Sequence, residues 1–260
     1  MKTGRLWRAI LLRAWLPAAL VLTWWFASAT SESLYFPSLK TILTTMWDDL
    51  IVHGMRTDVV PSVEKFLIGF LIAGALGIVF GLLIGLSPVL RAACEPIIQF
   101  LRSLPPPVLL PIGLLVFGIG PAMNISIIVV GAVWPTLLNT IDGVRSLDPL
   151  VKDMSRSYRL TLPQYIRYVL LPHAGPAIFA GLRTTLQISI ILIVVSEMVA
   201  STNGIGFYLL NSQQTFAVPE TWAGTVLLGL LGYLANLVFV RIEKYVLRWQ
   251  YGMRALNAKG

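Results

Sequence analysis

The stretch from Val63 to Leu86 reads VEKFLIGFLIAGALGIVFGLLIGL. It is long enough to cross the hydrocarbon core of a bilayer as one α-helix, which takes about 20 predominantly apolar residues. A small residue recurs at every fourth position, and residues four apart lie on the same face of a helix. The members of this stripe are Gly69, Ala73, Gly77, Gly81 and Gly85. Because small side chains let two backbones approach closely, the segment predicts a membrane span packed tightly against another helix through these residues.

The composition of the whole chain also indicates a membrane protein. Of its 260 residues, 56% are hydrophobic and only 12% are charged, whereas about a quarter of the residues in ordinary soluble domains are charged. The formal net charge is +8, and a basic balance is compatible with nucleic acid, an anionic substrate or an anionic membrane surface. The basic residues are grouped at the ends of apolar runs, which is typical of membrane topology and argues against a nucleic-acid partner.

Five further apolar runs predict additional spans. The six predicted spans are 14–29, 63–86, 96–118, 122–141, 176–199 and 222–240, and the polar stretch 142–175 separates the fourth from the fifth. With both termini in the cytoplasm, all but three of the 20 Lys and Arg residues lie on the inner side, as the positive-inside rule requires. The exceptions are Lys40, Arg56 and Lys65. We therefore expect an all-α, multi-pass membrane protein with a single transmembrane domain over residues 1–260.

The first apolar run allows a second interpretation. The basic segment before it and the small residues 27–29 at its end also fit a cleavable signal peptide. The bulky Trp24 and Trp25 are more typical of an interfacial aromatic anchor than of a cleavage site. We favour a retained helix over a cleaved one.

Prolines interrupt the third predicted span. They are Pro105, Pro106, Pro107 and Pro111. A continuous helix cannot pass through this cluster, because proline lacks a backbone N–H and clashes with the preceding turn. Broken backbone at membrane depth is tolerated only where it is buried in protein or lines a water-filled cavity. The sequence therefore places Pro105 and Pro106 among the candidate pathway or gate residues.

Ionisable residues within the spans are scarce. Glu197 lies near the outer end of the fifth span, where it could gate the pathway, pair with a basic residue of a partner subunit or simply be hydrated, which we favour. Arg183, near the inner end of the same span, is a further candidate pathway or gate residue, and it could also extend its side chain to the lipid headgroups. An ion-coupled secondary carrier normally has more intramembrane ionisable residues for its coupling ions. This scarcity indicates an energy source outside the chain, with a secondary carrier as the alternative function and a membrane assembly factor as a third.

The sequence contains none of the nucleotide-binding, disulfide or metal-binding motifs considered next. It has no Gly-x-x-x-x-Gly-Lys-Ser/Thr phosphate loop, so we expect the chain to be no enzyme and to bind no ATP. Its single cysteine, Cys94, permits neither an intrachain disulfide nor a cysteine zinc site. His53 and His173 stand 120 positions apart in no metal-binding motif. We expect no catalytic, cofactor or metal site.

The polar stretch 142–175 is predicted to be cytoplasmic. From Asp153 to Pro172 it predicts a short helix, a turn near Thr161 and a second amphipathic piece that ends at Pro172. Asp153 would lie at the positive N-terminal end of the first helix. Tyr158 and Leu160 would be exposed and available to a partner protein. A helix lying on the membrane surface is the alternative.

This stretch resembles the EAA loop of binding-protein-dependent importer permeases, whose pattern is Glu-Ala-Ala-x3-Gly-x9-Ile-x-Leu-Pro. The residues at the pattern's fixed positions are Asp153, Met154, Ser155, Arg159, Val169, Leu171 and Pro172. Only the C-terminal half matches well. Arg159 stands at the glycine of the turn, and arginine resists the positive φ that glycine adopts there. We therefore expect the bend to be built differently, and a heterodimer with a second permease that carries the standard loop is one possibility.

Other segments are similar to the sulfonate, taurine and nitrate branch of the same family, and the likeness extends over residues 35–249. They are FLRSLPP from Phe100, FGIG from Phe117, NTIDGVRSLDP from Asn139, GLR from Gly181 and SEM from Ser196. The resemblance implies a MetI-like type I ABC importer permease in the bacterial inner membrane. Its substrate would be a small, anionic solute of the sulfonate, nitrate or taurine kind.

The resemblance also implies partners and a coupling site. The partners are a cytoplasmic ABC ATPase dimer, a second permease copy in a homodimer or heterodimer, a periplasmic or lipid-anchored solute-binding protein, and the lipid bilayer. ATP and Mg would be bound in the ATPase subunit, with no cofactor on this chain. The residues that would couple to the ATPase are Asp153, Met154, Ser155, Ser157, Tyr158, Arg159, Leu160 and Thr161.

Overall fold

The structure, a computed structural model, describes residues 2–29, 31 and 33–250, with side chains from Trp15 onward. Within these residues it contains helices and no strand, so the predicted all-α class is confirmed. The helices are α1 (Lys2–Ser28), α2 (Leu39–Thr45), α3 (Val60–Leu86), α4 (Pro88–Ser103), α5 (Leu110–Phe117), α6 (Pro121–Arg145), α7 (Pro149–Ser157), α8 (Leu162–Tyr165), α9 (Leu171–Ala200), α10 (Ile205–Gln214) and α11 (Val218–Val246). Residue 1 and residues 251–260 lie outside the described part, and the orientation of the chain ends relative to the membrane stays a prediction.

Wider or tighter helical turns connect several of these helices. Wide π-type turns at Met46–His53 and Met55–Val59 lead from α2 into α3, and another at Ile166–Leu170 joins α8 to α9. A short 3-10 turn, Pro106–Leu109, precedes α5. Consequently some stretches of continuous helix are longer than the individual α-helices.

Four continuous helical stretches in the described residues are long and apolar enough to span a membrane. They are Met55–Leu86, Pro121–Arg145, Leu162–Ala200 and Val218–Val246. A fifth candidate is the pair formed by Pro88–Ser103 and Pro106–Phe117, which is bent by 91°. The apolar part of α1, Trp15–Ser28, is shorter. The number of six membrane crossings therefore stays a prediction.

The bend in the third predicted span lies at its prolines. The chain leaves helical geometry at Leu104 and Pro105, whose ψ angles are 122° and 124°. A residue that precedes proline is pushed toward extended conformations by contact with the proline ring. Two successive prolines after Leu104 thus account for the break between α4 and α5.

The small-residue stripe of α3 packs directly against α6. Gly77 lies opposite Thr136 and Gly81 opposite Thr140, so the two helices run parallel and keep one register. A Cβ atom added at Gly77 would come within 2.8 Å of the Thr136 Cβ, and one at Gly81 within 2.5 Å of the Thr140 Cβ. No side chain fits between the two backbones at these points.

The antiparallel helix α9 completes a three-helix core. A Cβ at Gly181 would lie 2.8 Å from the backbone of Pro135 and Thr136 on α6. The hydroxyls of Thr136 and Thr185 are 2.8 Å apart, and Thr185 Oγ1 also donates a hydrogen bond to the Ala132 carbonyl oxygen at 2.8 Å. In a membrane, where lipid is as apolar as leucine, such close contacts and interhelical hydrogen bonds hold helices together. We call α3, α6 and α9 the central core.

Leucine in place of Gly77 or Gly81 should therefore destabilise the protein. Each substitution forces a side chain between two backbones in contact, and overpacking of this kind costs about 1–3 kcal/mol or more. We expect a lower melting temperature in detergent and a lower yield of folded protein for both variants.

Gly229 on α11 offers a matched control, since no atom lies within 4 Å of a Cβ built there. Gly229→Leu should leave stability unchanged or slightly raised, because leucine favours helix more than glycine does. Wild-type melting temperatures for Gly77→Leu and Gly81→Leu would contradict the close packing of α3 on α6.

Candidate functional site

The predicted coupling stretch is built around α7. Asp148 caps this helix, its Oδ1 atom accepting a hydrogen bond from the Leu150 N–H at 2.8 Å, and Pro149 occupies the first turn. The expectation that Asp153 lies at the positive end of the helix is wrong, because the helix begins four residues earlier. Asp153 is exposed and forms a 3.6 Å ion pair with Arg156, which is worth little at a protein surface.

The bend after α7 is a left-handed turn at Arg159, whose φ is +50°. The expectation that arginine would require a differently built bend is therefore wrong. The Leu160 N–H donates to the Ser155 carbonyl at 3.2 Å, and the Arg159 N–H donates to the Arg156 carbonyl at 2.9 Å. This pair of hydrogen bonds is the Schellman motif, which satisfies the free carbonyls at a helix end. The two bonds offset part of the cost of left-handed backbone at a residue with a Cβ atom.

The next helix starts at once with a capping interaction. The backbone N–H and the hydroxyl of Thr161 both donate to Gln164 Oε1 at 2.9 Å. The helix does not end at Pro172, as the sequence had suggested, but continues through the wide turn 166–170 into α9. Pro172 lies in the first turn of α9, directly after this wide turn.

Two apolar side chains are presented at this turn. Tyr158 is 75% exposed and Leu160 is 36% exposed. Ser155 is buried instead, and its hydroxyl donates to the Val151 carbonyl within α7. The remaining predicted coupling residues, which are Asp153, Met154, Ser157, Arg159 and Thr161, are exposed. The turn therefore offers a compact, partly apolar tip on the protein surface.

Glu197 is part of a buried cluster at the opposite end of the central core. It is only 1% exposed, so the interpretation as a hydrated acid is wrong, and its partner belongs to the same chain. Lys65 Nζ lies 2.6 Å from Glu197 Oε1, and the Ser62 hydroxyl lies 2.8 and 2.7 Å from the two carboxylate oxygens. The Gly206 N–H donates to Glu197 Oε2 at 3.0 Å. We call Ser62, Lys65, Glu197 and the backbone of residues 204–206 the outer polar cluster.

The outer polar cluster attaches the turn between α9 and α10 to the start of α3. The Ile205 N–H donates to Ser62 Oγ at 2.8 Å, and the Gly204 N–H donates to Asp58 Oδ1 at 2.9 Å. Gly204 has φ +113°, and a Cβ there would lie 2.4 Å from the Glu197 carboxylate. Only glycine meets both conditions. Sequence reasoning missed Lys65 as the partner, although it lies one helical turn before Gly69 on the stripe of α3.

The other candidate pathway residues do not join this cluster. Arg183 forms an ion pair with Glu243 of α11, so it has a partner within the chain and need not reach the headgroups. It precedes Glu197 by 14 residues on α9, which is about 21 Å along a helix. Pro106 packs against α6 at Gly131, while Pro105 is exposed. The four residues therefore do not form one site.

Among the residues that the structure describes, no group of three or more His, Cys, Asp or Glu side chains could hold a metal ion.

Comparison with known proteins identifies the class to which this architecture belongs. The chain is 33% identical over 196 residues to the bicarbonate transport system permease protein CmpB of Synechococcus elongatus. This alignment covers 75% of this chain and 70% of the relative. It is 32% identical over 204 residues to the nitrate import permease protein NrtB of Leptolyngbya laminosa, which covers 75% and 73%. The fold matches an inward-facing structure of the MetNI methionine ABC transporter with a TM-score of 0.64 and 24% identity, over 78% of this chain and 98% of that chain. The sequence model of the family described as "Binding-protein-dependent transport system inner membrane component" matches residues 77–250, and the chain therefore belongs to this family, as a permease subunit of an ABC importer.

Proposed function

We propose that the chain pairs with a second permease copy to enclose a translocation path, and that an ATPase dimer docks on α7, the Arg159 turn and α8. In importers of this family ATP hydrolysis is carried out by separate ATPase subunits, so ATP and Mg would be bound there. The observation that carries the proposal is the exposed turn that presents Tyr158 and Leu160, which we call the coupling tip. Exposed aromatic and aliphatic side chains on a hydrogen-bonded turn are suited to fill a groove of a partner protein.

Movement of the coupling tip would reach the membrane through packed contacts. Leu170, between α8 and α9, is fully buried and packs in one cluster with Val144 of α6 and Ala174 of α9. Ser146 Oγ, just after α6, lies 3.1 Å from His173 Nε2 on α9. Closure of the ATPase would therefore displace α6 and α9 together, and the central core would alternate between two orientations of its path.

We further propose that the protein lies in the bacterial inner membrane with both termini in the cytoplasm. This orientation places the coupling tip on the ATPase side and the outer polar cluster on the side from which a solute-binding protein delivers substrate. The bias of Lys and Arg toward the tip side supports it. An ion-coupled secondary carrier is not favoured, because the family is ATP-driven and because Lys65 and Glu197 are engaged with each other.

The substrate class proposed here is a small anion of the sulfonate, nitrate or bicarbonate kind. The support comes from the relatives, which are named as bicarbonate and nitrate permeases. The ligand of the associated solute-binding protein is the decisive measurement, because selectivity in this family rests largely with that protein.

The assembled transporter in proteoliposomes, supplied with its binding protein and ATP, should take up at least one of these three anions. Calorimetric titration of the binding protein should show binding of the same anion. The matched control is uptake without ATP, which should fall to background. Uptake in the presence of ATP should be insensitive to a proton uncoupler. Binding of neutral or cationic solutes alone would contradict the substrate class but not the permease assignment.

Aspartate in place of Tyr158 or Leu160 should weaken attachment of the ATPase. A neutral polar group left unpaired in a desolvated contact costs about 1–3 kcal/mol and a charge costs more, which corresponds to at least roughly a 5- to 150-fold loss of affinity. The measurement is co-purification of the ATPase with each variant. Membrane insertion should be unaffected, because the tip lies outside the predicted spans and its basic residues are retained.

Tyr245→Asp is the control for this pair, since Tyr245 is 69% exposed near the end of α11 and is not part of the predicted coupling stretch 142–175. It should retain the ATPase. Full retention of the ATPase and of ATP-driven uptake by both Tyr158→Asp and Leu160→Asp would show that the docking surface lies elsewhere.

The effect of a substitution at residue 159 on ATPase binding should depend on how readily the new residue adopts a left-handed backbone conformation. Glycine and asparagine accept a left-handed conformation readily, so Arg159→Gly and Arg159→Asn should retain the ATPase. Valine is β-branched and resists positive φ, so Arg159→Val should distort the tip at a cost of about 1–2 kcal/mol and reduce co-purification. Equal loss for all three variants would show instead that the guanidinium group itself makes the contact.

A further inference from the structure

Each helix of the central core carries a row of residues, four positions apart, that faces the other helices. The three rows end in polar residues at the outer end of the core. On α3, one turn before Gly69, stands Lys65. On α6 the residues that face α3 recur every four positions, and one turn before Ile128 stands Asn124. On α9 the corresponding series is Thr185, Ser189, Ile193 and Glu197. Since α3 and α6 are parallel and α9 is antiparallel to both, their shared register places Lys65, Asn124 and Glu197 in one layer.

An apolar layer lies next to this polar layer, on the side toward the middle of the core. The next layer inward consists of Gly69, Ile128 and Ile193, all of which are buried, with Ile128 fully so and Ile193 4% exposed. The Ile128 side chain fills the space in front of Gly69. An apolar floor therefore separates the polar layer from the threonine and serine residues deeper in the core.

The Asn124 side chain has no hydrogen-bond partner within the described residues. It is 0% exposed, and neither its Oδ1 nor its Nδ2 atom meets a protein donor or acceptor. A buried amide without partners carries the full cost of its desolvation. Such a group in a native core requires an explanation, of which a bound ligand is one.

The hydrogen-bonding capacity of the neighbours defines what that ligand can be. Both oxygens of Glu197 are already engaged by Lys65, Ser62 and the Gly206 N–H. The Lys65 ammonium carries three N–H groups, of which one is directed to Glu197 and a second lies 3.4 Å from Asn203 Oδ1. One N–H of Lys65 and both ends of the Asn124 amide thus remain available. A matching ligand must accept hydrogen bonds and donate at least one.

Charge balance excludes an ion as the natural occupant. The positive Lys65 and the negative Glu197 cancel within the layer, and an added ion would be a further buried charge without a counter-ion. Water is neutral, accepts two hydrogen bonds and donates two, and typically makes about three bonds when buried in a protein.

We propose that the outer polar cluster and Asn124 form an internal hydration site, in which a water molecule bridges the Asn124 amide to the Lys65 ammonium. The water accepts from Lys65 Nζ and donates to Asn124 Oδ1. It thereby supplies solvation to an ion pair that is otherwise cut off from solvent. The site depends only on residues of this chain and holds whether or not the proposed substrate and docking surface are correct.

The test uses the assembled transporter in lipid nanodiscs and the variant Asn124→Leu, which keeps the branched shape of asparagine but cannot hold water. If the site is hydrated, leucine displaces the water and leaves a Lys65 N–H unpaired, so the melting temperature falls. If the layer is dry, leucine removes a costly orphan amide, and the melting temperature rises. A rise would overturn the proposal.

The double variant Lys65→Met/Glu197→Met provides the matched background. Without the ion pair the water has lost its Lys65 partner and leucine leaves no ammonium N–H unpaired, so adding Asn124→Leu to this background should no longer lower the melting temperature. Equal losses in both backgrounds would indicate a packing defect at position 124 and would overturn the proposal.

If the transporter with Asn124→Leu does not assemble, the water can be sought directly in the wild-type complex. A cryo-EM map of the wild-type complex at a resolution that shows ordered water should contain a peak within hydrogen-bonding distance of both Lys65 Nζ and the Asn124 amide. Asn124→Ser, whose hydroxyl also donates and accepts, should keep that peak and a near wild-type melting temperature. A map in which Asn124 bonds Lys65 directly, with no peak between them, would overturn the proposal.

Discussion

The close approach of three helix backbones is the constraint on which this structure depends. Apolar burial drives little association between helices inside a bilayer, because lipid tails replace apolar contacts at no loss. The stability of the core therefore rests on van der Waals contact and on a few interhelical hydrogen bonds. Gly77 and Gly81 permit the contact between α3 and α6, and Gly181 permits the contact between α6 and α9. The hydroxyls of Thr136 and Thr185 add a direct hydrogen bond at the point where the three helices meet.

The same packing places the two candidate functional regions at opposite ends of one unit. At one end, Leu170 and Val144 hold the coupling segment against the core. At the other end, Glu197 holds the turn between α9 and α10 against α3. A displacement at the tip cannot be absorbed by sliding between α3 and α6, because their interlocking residues leave no free volume for it. The core would move as a body, and the outer turn would follow.

Much of the fold was predictable because it depends on local pattern, whereas the errors arose where distant or compensating interactions decide the outcome. The four-residue period of α3, the break at Pro105 and the exposure of Tyr158 all follow from rules that act within one turn of helix. The burial of Glu197 depends on Lys65, which is far away in sequence, and no local rule connects them. The positive φ of Arg159 does not follow from the intrinsic preference of arginine, because two backbone hydrogen bonds of the folded turn offset the cost.

These errors also have a physical meaning. Natural sequences are mostly consistent from local preference to global fold, and the positions that break local rules tend to be functional or strained. The left-handed Arg159 and the buried pair of Lys65 and Glu197 are two such positions, and each lies just beyond one end of the apolar core. From Lys65 to Gly85 the helix α3 extends over about 30 Å, which matches the hydrocarbon thickness of a bilayer. The locally unfavourable features thus lie at the two ends of the apolar core, and the locally consistent core between them links one to the other.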